Sequence, residues 1–169
     1  MIKIFNYFLQ AFFVYSFFLI GRILNLKKSK KLFSNLFYLL GPLFKSKKIV
    51  EKNLDIFSDK ISIINKKDII NNMWKNYGKT FIEYIFLDYF RKKNNHISII
   101  GEENLLDNNS KNKPVIFISG HFANFELMSM EITKKQIPLA TIYRPLNNIF
   151  LNPLMEYLRK KYICGNQIK

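Results

Sequence analysis

The segment Gly120-His121-Phe122-Ala123-Asn124-Phe125-Glu126 puts a histidine and a carboxylate close together, directly after the apolar run 115–119. A histidine titrates near neutral pH and can take a proton from a hydroxyl nucleophile. A carboxylate on its other ring nitrogen fixes the tautomer and stabilises the imidazolium that forms. His121 is therefore the candidate base and Glu126 its candidate partner. Five residues of ideal helix turn through about 500°, which would leave the two side chains about 140° apart. They meet only if His121 sits in the turn before a helix and folds back over its first turn, and Gly120 would make such a turn easier. With 12 acidic residues in 169 and two histidines, such a pair arises by chance about one time in seven, so the dyad is weak on its own. A structural histidine stays open as the alternative. His96 has Gly101 at the same offset and shows no such pattern.

The elements that must position this pair read as an α/β fold. Residues 115–119 (VIFIS) predict a buried strand, 122–133 a helix, 139–143 a second strand and 152–162 another helix, with Pro153 at a tolerated first-turn position. This order predicts parallel neighbours joined by right-handed crossovers. Ligands of such sheets gather at the carboxyl ends of the strands, where Gly120 and His121 would fall. Arg144 ends the second strand, and Arg159 lies on the following helix beside Lys160 and Lys161. Either guanidinium could clamp a phosphate or carboxylate; either could equally be a solvated surface charge. Upstream, 96–100 predicts a short strand and 101–114 a connection with room for one helical turn. Residues 67–90 predict one long helix or two, with Gly78 allowing a bend or a close approach. Residues 47–60 have helical spacing, and 62–64 are ambiguous.

The N-terminal stretch 4–24 is apolar apart from Asn6, Gln10, Ser16 and Arg22, and it matches the thickness of a bilayer core. Arg22, Lys27, Lys28, Lys30 and Lys31 end or follow it, so a spanning helix would leave the rest of the chain in the cytoplasm. An interfacial helix is the main alternative, followed by a soluble core helix or a cleaved signal peptide, for which the run is long and a small-residue cleavage site is lacking. The apolar block 32–44 is too short to span, and Gly41-Pro42 is expected to break it; it reads as a helix hugging the membrane or packing on the domain. The division expected is a membrane or interfacial helix over 1–25 and one domain over 26–169.

Hydrophobic residues make up 49%, which excludes a disordered chain. The formal charge of +15 suits polyanions: nucleic acid, anionic lipid or an acidic carrier protein. No nucleic-acid motif accompanies the charge, so no nucleic-acid partner is expected. Cys164 is the single cysteine, which rules out a disulfide within the chain; in a polar tail, CGNQIK, that lacks a terminating element, it is assigned no chemistry.

GHFANFE followed by YRPLNN resembles the bacterial lipid A biosynthesis acyltransferases, the late lauroyl and myristoyl transferases of the lysophospholipid acyltransferase superfamily. The usual form there is Gly-His-x-Gly-Asn-Trp-Glu. Gly120, His121, Asn124 and Glu126 match; Ala123 stands for the usual glycine and Phe125 for the usual tryptophan. IVEKNLDIFSDKI and MWKNYGKTFIEY are also similar to that branch, with Lys79 where arginine is common and Glu83 matching an acid.

The resemblance implies a membrane-bound enzyme of the cell inner membrane with its catalytic domain on the cytoplasmic side. Its donor would be an acyl-acyl carrier protein and its acceptor a hydroxyl of a lipid A precursor glycolipid, with no cofactor or metal. His121 would be the general base, Glu126 its orienting acid, and Asn124, Arg144 and Arg159 substrate-binding residues. Relatives of this kind continue past the point matching Lys169, so the resemblance also implies an N-terminal membrane helix, further helices and the first part of a mixed or parallel sheet. Little turnover is expected from these 169 residues alone. Rival readings are an acyltransferase for another lipid acceptor, such as a lysophospholipid or glycolipid, an inactive truncated remnant, and a membrane-anchored binding protein.

Overall fold

The computed structural model describes residues 2–44, 47–57, 63–93, 96–110 and 114–169. Among the described residues the architecture is α/β, mostly helical with one short parallel sheet. In order, the chain forms α1 (Ile2–Ile23), α2 (Leu26–Phe44), α3 (Lys47–Phe57), α4 (Ile63–Glu83), a 3-10 turn (Tyr84–Phe86), α5 (Leu87–Lys92), α6 (Glu102–Ser110), α7 (Glu126–Lys134), β1 (Ala140–Ile142), α8 (Asn152–Leu158), a π turn (Arg159–Ile163) and β2 (Asn166–Ile168). Two compact units result: Val14–Ile85, and Met1–Phe13 together with Phe86–Lys169.

The Val14–Ile85 unit is built from helices. Asn25 caps α2, its Oδ1 accepting from the Lys28 amide at 2.9 Å. Phe17, Phe18, Phe33, Phe37 and Phe81 form a cluster of rings, with Phe18 and Phe81 centroids 5.0 Å apart and Phe37 and Phe81 5.3 Å apart. Small residues bring the helices close. A Cβ on Gly78 would run into the Phe33 carbonyl, and one on Gly41 into the Trp74 ring. Gly78 therefore serves close packing rather than a bend. Gly41-Pro42 does not break α2, which runs on to Phe44 with Pro42 inside it; the proline removes one ladder donor near the end of a 19-residue helix. Buried Glu83 holds the Lys30 ammonium at 2.5 Å.

In the other unit, Phe86, Leu87, Phe90, Met130, Ile132, Leu158 and Ile163 form the core. Polar ties join its elements. The Arg91 guanidinium donates to Met130 O at 3.2 Å and Thr133 Oγ1 at 2.6 Å, and the Thr133 hydroxyl donates to Ile163 O at 2.7 Å. Lys134 donates to Phe90 O and Lys93 O. Asn148 donates to Tyr7 O at 2.8 Å and caps the turn before α8 through Oδ1.

Several expectations are corrected. Residues 115–119 form no strand, and neither do 96–100; Ile116 is 88% exposed and Ile100 97%. β-branched composition favours a strand, but a strand exists only when a neighbour completes its ladder. Among the described residues the ladder is made by β1 and β2, in parallel register Ala140↔Asn166, Thr141↔Gln167 and Ile142↔Ile168. The tail thus supplies a strand rather than ending without one. Cys164 is buried, its thiol 2.9 Å from Leu139 O. The 101–114 connection contains α6, longer than one turn, and the helix expected from 122 starts at Glu126. The expected helical positions 58–60, the ambiguous Ser62, and 111–113 of the connection lie outside the described residues.

Candidate active site

The chain enters the site without regular structure through 114–122, turns at 123–125 and starts α7 at Glu126. The turn is closed by Leu127 N donating to Asn124 O at 3.1 Å and Met128 N donating to Phe125 O at 3.2 Å. Its left-handed residue is Ala123, at φ 47°, not Gly120. This is the position where the resembling proteins usually carry glycine, the residue that adopts φ > 0 without a Cβ clash.

Glu126 is buried at the first position of α7, where an acid suits the helix dipole. Its Oε1 accepts from Arg159 Nε at 2.7 Å and lies 2.5 Å from Arg159 Nη2. Both side chains are largely out of solvent, at 7% and 14% exposure. They are 33 positions apart in the sequence; the start of α7 and the π turn bring them together. Asn124 is also buried. His121 is exposed, its ring centroid 4.1 Å from that of Phe125. Among the described residues no hydrogen bond links His121 to Glu126. Arg144 is exposed just beyond β1.

Sequence reasoning missed the support behind Arg159. The Tyr143 ring lies 5.8 Å from the guanidinium carbon, and its hydroxyl donates to Glu156 Oε1 at 2.9 Å. Asn152 and Lys169 also approach that oxygen, each at 2.9 Å. These donors, Lys169 first, then Asn152 and Tyr143, pull the Glu156 carboxyl down to about 2. The same contact raises Tyr143, burial being the larger cause. The i,i+4 spacing of Asn152 and Glu156 on a predicted helix was the one local signal available. His96 packs 4.8 Å from Phe90, with Nε2 3.5 Å from Glu131, away from any motif.

The model of the bacterial lipid A biosynthesis acyltransferase family matches residues 2–163. The chain belongs to this family. No curated protein and no solved structure matches it. For this lipid A biosynthesis acyltransferase family member, the matched span takes in the whole motif from Gly120 to Glu126, together with Arg144 and Arg159. It also takes in α1, which is long and apolar enough to cross a membrane.

Proposed function

We propose that this protein is a membrane-bound enzyme that moves a fatty acyl chain from an acyl-acyl carrier protein to a hydroxyl of a lipid A precursor. The observation that carries this reading is the family match over residues 2–163, which includes the whole motif. His121 takes the hydroxyl proton, and the oxygen attacks the thioester carbon. The C–S bond of the tetrahedral oxyanion breaks, and the departing thiolate takes the proton back from the imidazolium. Glu126 orients the imidazole once His121 swings in over the first turn of α7, and Arg159 fixes the carboxylate for that encounter. Asn124, Arg144 and Arg159 bind the anionic substrates. The charge of +15 suits an acidic carrier protein and a phosphorylated glycolipid. No cofactor or metal enters this scheme. Arg22, Lys27, Lys28, Lys30 and Lys31 after α1 favour the inner membrane with the site on its cytoplasmic side.

The test is acyl transfer in membranes from cells carrying the gene or its His121→Ala variant, with products read by mass spectrometry. Loss of the base should lower the rate about 10²- to 10⁴-fold. A variant at the parental rate removes His121 from the chemistry. Transfer to a lysophospholipid but not to a lipid A precursor overturns the acceptor.

A further inference from the structure

Among the described residues, the outer face of α2 is left exposed although it is apolar. Leu32, Leu39 and Leu43 recur at i, i+7 and i+11, with half-buried Leu36 between them, so they form one stripe along the helix. They are exposed, Leu39 to 68% and Leu43 to 81%, while Phe33 and Gly41 on the opposite side face Phe81 and Trp74. Lys28 lies one turn before Leu32 on the same stripe, and Lys27 and Lys31 flank it, all exposed. In the same unit, Leu19, Ile20 and Ile23 of α1 are exposed too. The outer face of α4 is different: Lys67, Asp68, Asn72, Asn76 and Lys79 make it mostly polar.

We infer that the α2 stripe is a second membrane-contacting surface, seated at the headgroup–acyl boundary of an anionic bilayer, and this rests on the membrane-bound reading proposed above. A leucine stripe that begins among lysines fits that boundary: the leucines enter the acyl region, and the lysine stems reach back to lipid phosphates. An in-plane seat is required because α4, packed along α2, carries charged and amide groups that must stay in water. The basic end of α2 sets the preference for anionic lipid.

Single tryptophans at exposed positions test this: Leu43→Trp on α2, Leu19→Trp on α1 and Ile69→Trp on α4. Each is read against the parent, whose own Trp74 is buried. The full chain is bound to phosphatidylglycerol/phosphatidylethanolamine vesicles containing lipids brominated high on the acyl chain, and helix content is checked for each variant. The expected result is that Leu43→Trp is quenched as strongly as Leu19→Trp while Ile69→Trp is not. Quenching of Leu19→Trp without Leu43→Trp overturns the inference and leaves membrane attachment standing. Quenching of neither overturns both. Quenching of all three overturns the in-plane seat. Leu39→Glu with Leu43→Glu provides a second reading: it should weaken the quenching of Leu19→Trp several-fold if the stripe holds the unit on the bilayer, and leave it unchanged if it does not.

Discussion

Inside each of the two units the elements are held by different means. Val14–Ile85 depends on shape: rings at 5–6 Å, and glycines whose missing side chains let a carbonyl or an indole come close. Around the candidate site, position depends on charge: Glu126 on Arg159, Arg159 over Tyr143, Tyr143 on Glu156, and Glu156 on Lys169. Shape-held regions are sensitive to added volume, and charge-held regions to an unpaired partner. The site can therefore be disturbed electrostatically with little effect on the aromatic cluster, and the reverse also holds.

The largest expected effect is from Arg159→Ala. It leaves Glu126 buried without its guanidinium, a loss of about 3–5 kcal/mol. Hydrogen exchange should locate that loss in α7 and the π turn, with α2 and α4 protected as before; equal loss in both units would break the contrast. Replacing both partners, Arg159→Met with Glu126→Met, should recover most of the stability. Next is Gly78→Ala, whose methyl meets the Phe33 backbone. A cost of about 1–3 kcal/mol is expected from overpacking, read as earlier exchange in α2 and α4 only. Ala123→Gly should stabilise by about 0.5–1 kcal/mol, because a left-handed alanine costs about 1–2 kcal/mol and glycine gives part of that back in chain entropy. A lower denaturation midpoint for this variant would refute the left-handed turn. The smallest effect is from Glu156→Gln. The folded carboxyl sits at about 2 against an ordinary 4.5, so its contribution is present above 4.5 and fades as pH falls toward 2. Acid titration of the variant should be flatter across that window and match the parent's shape above it.

The helices of the shape-held unit were legible because apolar periodicity is local. Residues 4–24 announced α1 within two residues at its start and one at its end, and the helical spacing from 47 announced α3. Where periodicity ran on past Glu83, the structure interposes a 3-10 turn at Tyr84–Phe86, which no spacing marked. Sheet membership was not legible: VIFIS has strand composition, yet β1 takes its neighbour from Asn166–Ile168, which looked like a polar tail. The motif was legible by resemblance. Its electrostatic partner was not, because Glu126 and Arg159 are 33 positions apart, with α7, β1 and α8 in the stretch that joins them.

The buried thiol of Cys164 gives the sheet a clock. It stands just before β2 and faces the carbonyl just before β1, so a thiol reagent reaches it only in the moments when that neighbourhood opens. With a single cysteine in the chain, the rate of alkylation under native conditions counts those openings without any label being introduced.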